Sequence, residues 1–376
     1  MQPSEAEGGV TYEDPTATAD RVGWLRLSRA GLAPHRLARL VSALATPQAI
    51  FDSSAQALSD IEEIRTKDVE RVQAAARLDV TGDLAALDCL GVKLVTLYAD
   101  DYPARLRDIY DPPAILYVQG ELLPEDSLAV AVVGTRRCSP YGVRMAERLA
   151  GDLARRKVTI VSGLALGVDA AAHRGALAAR GRTIGVLACG LDVDYPREHR
   201  ALRQEVAASG AVIGELPFGT PPTRERFPQR NRIVSGVSLG TVVVEAPARS
   251  GSLITAQLAV EQGREVFAVP GDVDNPLNAG SHGLIREGAY LVESAEHVLD
   301  GLGVHLEAPL HPLREAPSDL SQEERAVFEA LSFQPQHGDQ LVQSSGLPPA
   351  VLAATLMLLE VKGLARRFPG GLFCRS

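Results

Sequence analysis

The sequence predicts an α/β fold, an extended Rossmann-like doubly wound parallel sheet with a helical N-terminal module and a C-terminal winged-helix-like domain. Three observations predict it. Between about residues 128 and 300, short Val/Ile-rich runs alternate with helical stretches, at Leu128 to Val133, Val158 to Val161, Thr183 to Leu187, Ala211 to Ile213, Thr241 to Val244 and Val266 to Val269. Such alternation is the pattern of βαβ units whose sheet is covered on both faces. Before them, residues 20–85 carry Ala/Leu-rich helical spacing (Leu37, Leu40, Val41, Leu44) broken at Thr46-Pro47 and Ser59. After them, Leu320 to Leu331, Gly338 to Ser345 and Pro348 to Val361 read as three helices. Leu364 to Cys374 then reads as a two-stranded wing turning at Pro369-Gly370-Gly371. The expected domains are a disordered tail over 1–19, the helical module over 20–88 and the Rossmann-like domain over 89–303. A linker over 304–319, marked by Pro309, Pro312 and Pro317, leads to the last domain over 320–376.

Composition sets the frame. A chain of 376 residues with 45% hydrophobic content fits a globular protein of two or three domains. No apolar run approaches the roughly 20 residues of a membrane span, and Met1 to Asp20 is acidic and polar, unlike a signal peptide. Cys89, Cys138, Cys189 and Cys374 form no Cys-x-x-Cys pair, so neither zinc nor a disulfide framework is expected, and the reducing cytoplasm is the expected location. A net charge of −9 restricts any nucleic-acid site to a local basic patch.

The first strand of the sheet, Ala129 to Val133, runs into Gly134-Thr135-Arg136. A dinucleotide fingerprint carries further glycines there, so neither NAD nor FAD, nor any other cofactor, is expected. Arg136 instead offers a charged planar fork to phosphate. The other strand ends supply Ser139, Ser162-Gly163, Gly190 and Asp192 with Tyr195-Pro196-Arg197, and Ser250-Gly251-Ser252. Hydroxyls, backbone N–H groups and arginines along one sheet edge suit a ligand with several phosphates, either a nucleotide or a nucleic-acid backbone. The densest basic patch is Arg224, Arg226, Arg230 and Arg232 around Phe227, with Asn231 inside it. An aromatic between arginines suits unstacked bases, while internal ion pairs for Arg230 and Arg232 and a core role for Phe227 are the structural alternatives.

These stretches resemble one bacterial family. Val-Val-Gly-Thr-Arg-x-x-Ser-x-Tyr-Gly at 132–142, Ser-Gly-Leu-Ala-x-Gly-Val-Asp-x-x-Ala-His at 162–173 and Gly-Leu-Asp-x-x-Tyr-Pro at 190–196 are similar to the DNA processing protein A (DprA, or Smf) family. So are Phe-Pro-x-Arg-Asn-Arg-Ile at 227–233, Val-Glu-Ala at 244–246, Ser-Gly-Ser-Leu-Ile-Thr-Ala at 250–256 and Val-Pro-Gly-Asp at 269–272. His199 departs from the asparagine that many members carry. The resemblance implies a homodimeric, non-enzymatic protein of natural transformation that binds incoming single-stranded DNA and helps load the RecA recombinase. Single-strand binding protein is a further candidate partner, and no membrane is implied. It implies phosphate contacts from Arg136, Arg197, Arg224 and the Ser250-Gly251-Ser252 turn, stacking on Phe227, and an N-terminal module of the SAM or helix-hairpin-helix kind.

Catalytic alternatives are poorly supported by the residues. Asp169 and His173 lie four apart on an expected helix but have no second ligand pair for a metal. Cys138 and Cys189 have no histidine nearby in sequence, and Glu245 lacks a second carboxylate. The rival reading is a Rossmann-type nucleotide phosphoribohydrolase, whose Pro-Gly-Gly-x-Gly-Thr-x-x-Glu turn would align its threonine with Thr255. The glutamate position then holds Leu258, with Gln257 beside it. In the last domain the third helix lacks the Arg, Asn or Gln that read base edges, which points to protein contacts, with Arg366 and Arg367 as phosphate candidates in the wing.

Overall fold

All six expected runs fold as strands within a nine-stranded sheet. In chain order the strands are β1 (Val92–Thr96), β2 (Ile115–Gly120), β3 (Ala129–Val133), β4 (Thr159–Ser162), β5 (Thr183–Val186), β6 (Ala211–Gly214), β7 (Gly240–Val243), β8 (Glu265–Ala268) and β9 (Tyr290–Leu291). The computed structural model describes residues 18–304, 320–332, 336–362, 364–368 and 371–375. The expected tail up to residue 17, the linker from 305 to 319 and Pro369-Gly370 of the wing turn lie outside the described residues.

The sheet order is β1-β2-β6-β5-β4-β3-β7-β8-β9. From β3 the chain winds outward through β4, β5 and β6, then returns to place β7 against the other side of β3. This reversal opens a crevice beyond the carboxyl ends of β3 and β7, where doubly wound sheets bind ligands. Every residue of β3, β4, β5, β6 and β7 is buried, which explains their unbroken apolar character. The expected all-parallel sheet needs one correction: β2 pairs antiparallel with both β6 and β1.

Six helices precede the sheet: Thr18–Arg29, Pro34–Leu44, Pro47–Asp52, Ala55–Ser59, Thr66–Ala75 and Thr81–Leu90. Their buried Trp24, Leu27, Leu40 and Ile50 share one apolar cluster with Leu94, Leu116 and Ile213 of the sheet. Polar links cross the same junction, with Tyr117 Oη 2.9 Å from Ser28 Oγ and Arg29 Nη2 donating to the Phe218 carbonyl at 3.1 Å. The helices therefore extend the sheet's core, and residues 18–304 belong to one compact unit.

The residues from 320 form a second unit. It contains helices Gln322–Ala330, Gly338–Ser345 and Pro349–Val361 and a three-stranded sheet of β10 (Gln336–His337), β11 (Ala365–Phe368) and β12 (Leu372–Arg375), ordered β10-β12-β11. Ser321 and Glu324 form a capping box, and Lys362 Nζ reaches Glu324 Oε1 at 2.8 Å. Phe328, Leu341, Leu356 and Leu359 centre its core. Among the described residues no single helix is long and apolar enough to cross a membrane.

Candidate nucleic-acid interface

The crevice at the β3/β7 switch point is a cleft of about 390 Å³. Four chain segments build it: the loop after β3, the turn after β4 with the start of helix Val168–Ala178, helix Arg226–Val237, and the loop after β7 with the start of helix Gly251–Glu261. Of the residues singled out in the sequence, Gly134, Thr135, Arg136, Gly163, Phe227, Arg230, Asn231, Ser250, Gly251 and Ser252 line it together. Arg137 and Arg249 join them, so four arginines face a single lining carboxylate, Asp169. The local charge is thus opposite to that of the whole chain.

Close backbone approach shapes the walls. Gly167, at φ 79°, precedes the Val168–Ala178 helix, and a Cβ there would overlap the Thr135 carbonyl. This position packs the helix start directly under the Arg136 loop. A Cβ on Gly163 would overlap the Arg230 guanidinium, so glycine there admits the arginine to the cleft floor. Arg230 is buried, donates from Nη1 to the Val186 carbonyl at 2.5 Å, and has no partner at Nε. Asp169 accepts from the N–H groups of Gly163 and Ala165 at 3.1 and 3.4 Å. Burial raises its carboxyl above the usual range, against the pull of Arg230 and those two donors.

The mouth of the cleft is aromatic. The Arg136 guanidinium stacks 4.5 Å from the Phe227 ring centre, and Tyr195 lies 5.8 Å from Phe227 at a tilt of 45°. On the opposite wall the Ser250 hydroxyl caps the Gly251–Glu261 helix, accepting from the Ser252 N–H at 3.3 Å. Gly251 faces open space, so this positive helix end is unobstructed. Asn231 Nδ2 ties the two walls together through the Gly251 carbonyl, at 3.4 Å.

The remaining sequence-selected residues sit elsewhere. Ser139 caps helix Pro140–Arg155 and donates to the Glu245 carboxylate from N and Oγ at 2.8 and 2.6 Å. Glu245 is wholly buried and spent on that anchor, which fixes the β3 loop to the end of β7. Ser162 is buried and donates to the Val132 carbonyl at 2.7 Å. Arg232 is buried between Glu215 and Asp111, at 2.6 and 2.8 Å, and does not line the cleft. Arg197 and Arg224 are exposed outside the cleft lining. His173 is buried on Thr183, 2.7 Å away, with burial pushing it down to about 3, and His199 is buried on the Leu164 carbonyl at 2.9 Å. Burial pushes the Cys189 thiol up to about 11 and raises that of Cys138, the reverse of thiolate activation.

The profile of the family described as DNA recombination-mediator protein A matches residues 93–303. The chain belongs to that family. A profile of the DprA winged helix domain matches residues 311–371. Protein Smf of Escherichia coli is 38% identical over 81% of this chain and 83% of its own length. A putative DNA processing protein DprA of Mycobacterium tuberculosis is 39% identical over 94% and 92%. The DNA processing protein A of Streptococcus pneumoniae superposes with a TM-score of 0.65 at 36% identity, covering 74% of this chain and 96% of that one. The Helicobacter pylori protein, solved with its single-stranded DNA binding mode in view, gives 0.51 at 32% identity over 56% and 95%.

Sequence reasoning put Tyr195 on this sheet edge without a stacking role, missed Arg137 and Arg249 as members of this cluster, and assigned Asp169 only to a metal or acid–base alternative. Arg249 was detectable, since it directly precedes the Ser250 cap. Tyr195 reaches Phe227 only through folding, from 32 positions away along the chain.

Proposed function

We propose that the cleft binds single-stranded DNA, with Phe227 and Tyr195 as the stacking platform and the Ser250–Ser252 helix end, Arg136, Arg137 and Arg249 as phosphate contacts. The supporting observation is the stack of Arg136 on Phe227 at the mouth of an arginine-lined cleft. A base entering the platform takes the place of the guanidinium, which then turns to the adjacent phosphate. Gly134, Thr135, Gly163, Arg230 and Asn231 shape the floor, Arg197 and Arg224 extend the basic approach, and Ser139, Ser162 and Arg232 act indirectly by holding the framework. Family membership and the single-stranded DNA binding of the Helicobacter pylori relative support the same reading.

We infer from the family a binder rather than an enzyme, acting in natural transformation as a cytoplasmic homodimer that hands incoming DNA to RecA, with single-strand binding protein as a further partner. The phosphoribohydrolase alternative finds no support in the cleft. Thr255 lines it, whereas Leu258 stands at the position of the hydrolytic acid and Asp169 is held by two backbone donors.

Fluorescence anisotropy with a labelled single strand and its duplex at two salt concentrations tests the proposal. Single strands are expected to bind far more tightly, with affinity falling steeply as salt rises. Equal affinity for duplex, or binding indifferent to salt, overturns it, and release of nucleobase from a nucleoside monophosphate would restore the enzyme reading.

A further inference from the structure

Two arginines on one helix are buried in opposite ways. Arg232, 4% accessible, is flanked by Glu215 and Asp111 at 2.6 and 2.8 Å. Arg230, 6% accessible, makes no ion pair among the described residues. Of its five N–H donors, Nη1 reaches the Val186 carbonyl at 2.5 Å, and the buried Nε has no acceptor. Asp169 spends its Oδ2 on the Gly163 and Ala165 N–H groups and makes no hydrogen bond to Arg230. Burial lowers the pKa of Arg230, with the charge of Asp169 opposing that fall. The guanidinium lies in the cleft floor, so close to Gly163 that a Cβ there would overlap it. Buried charges are ordinarily paired. A cation placed this way in the floor of a cleft is suited to a counter-ion that arrives from outside.

A second feature points to the same kind of ligand. The eleven-residue helix Gly251–Glu261 opens into the cleft, with Gly251 against open space and the Ser250 and Ser252 hydroxyls 2.7 Å apart at its start. A positive helix end and a guanidinium fork together match the oxygens of a phosphate. Arg136, Arg137 and Arg249 line the cleft as well, so four cations meet the one carboxylate, Asp169. That excess favours a dianion. A phosphomonoester carries about two negative charges at neutral pH, whereas a phosphodiester carries one. Space argues the same way: about 390 Å³ is near the lower end of the roughly 300–1,000 Å³ of small-ligand pockets. A phosphodiester at the floor has two strand arms to bring out past Phe227, and a chain end has one.

We propose that the cleft floor around Arg230 is a subsite for the terminal phosphate of a nucleotide, a phosphomonoester borne by the end of a DNA strand or by a free mononucleotide. The inference rests on the single-stranded DNA reading of the same cleft and names the group that reaches its floor.

The test titrates the full-length chain into oligothymidines of about ten nucleotides with fluorescein on an internal base, followed by anisotropy. The strands carry a 5′-phosphate, a 3′-phosphate, hydroxyls at both ends, or a terminal phosphate capped as its methyl ester. At least one phosphorylated strand is expected to bind about tenfold more tightly than the hydroxyl-ended strand, and the methyl ester is expected to lose most of that gain. Thymidine monophosphate is expected to displace the phosphorylated strand where thymidine does not. Displacement below about 100 µM identifies the free nucleotide as the source, and displacement only above it identifies the strand end. Arg230→Lys should bring the ratio of phosphorylated to hydroxyl-ended affinity towards one. The ligand series on the parent chain decides alone if that variant fails to fold. Hydroxyl-ended and phosphorylated strands of equal affinity, both still salt-dependent, overturn the floor site and leave the DNA reading standing. A phosphate gain that survives methylation, or that a folded Arg230→Lys chain retains in full, also overturns it. Equal affinity for duplex with the phosphate gain intact overturns the DNA reading instead.

Discussion

Two helices hold positions from which proteins commonly read nucleic acid, and they present opposite chemistry. Helix Arg226–Val237 opens at the sheet's switch point and sends Phe227, Arg230 and Asn231 into the cleft. Helix Pro349–Val361 is the third of the winged-helix unit, yet it exposes Met357 and Leu358, 65% and 53% accessible, and its one charged residue is Glu360. The contrast separates fold from function. A winged-helix architecture does not make its third helix a base reader, whereas a Rossmann-like sheet whose turn has lost the dinucleotide glycines retains the anion-attracting geometry of its strand ends. The first helix suits a flexible, unstacked strand, and the second suits an apolar protein surface.

The largest expected effect falls inside the first helix, on a residue that does not reach the cleft. Arg232→Ala leaves the largely buried Glu215 carboxylate, its side chain 11% exposed, without its cation, so the fold should lose about 3 kcal/mol. Urea melts measure this loss. The salt slope of DNA binding by the folded fraction should remain that of the parent, and a changed slope would place Arg232 at the DNA.

Arg136→Ala comes next. Removing a charged contact should cost about 1.5–3 kcal/mol in single-strand affinity. It should also flatten the plot of log affinity against log salt by about 0.7, one phosphate's worth on a single strand. Phe227→Ala should cost about 1–3 kcal/mol through lost stacking, with the slope nearly unchanged. Anisotropy over a salt series distinguishes the two, with melting curves as controls because Phe227 also packs against Tyr195. Identical slope changes in both variants would erase the division between stacking and phosphate roles.

Much of this arrangement was legible because strand ends in a doubly wound sheet declare themselves. Val-Val-Gly-Thr-Arg and Ser-Gly-Ser mark two walls of one crevice by residue type and order alone. The limits have physical causes. Arg230 and Arg232 look alike in sequence, but two positions along a helix turn the side chain by about 200°. One therefore faces the cleft floor and the other faces Glu215 and Asp111. Ser139 and Ser162 have the residue type of phosphate ligands, but Glu245 and the Val132 carbonyl claim their hydroxyls. β1 and β2 escaped notice because their partners are each other and β6, an antiparallel addition outside the βαβ pattern. The N-terminal helices read as a module of their own, yet Trp24 and Leu27 are buried in the sheet's core, a tertiary choice that helical periodicity does not encode.

The smallest expected effect, and the sharpest test of the contrast, comes from shortening the chain. With no base-reading side chains on helix Pro349–Val361, removal of residues 318–376 should change single-strand affinity by under about 1 kcal/mol, within a few-fold. The decisive measurement is a titration of labelled single-stranded DNA with this shortened chain and with its Arg136→Ala variant, each verified as folded and of unchanged oligomeric state. The account predicts near-parent affinity for the first and loss of most binding for the second. A folded shortened chain that loses affinity by orders of magnitude, or an Arg136→Ala variant that binds as its parent does, would contradict the placement of the DNA at the β3/β7 cleft.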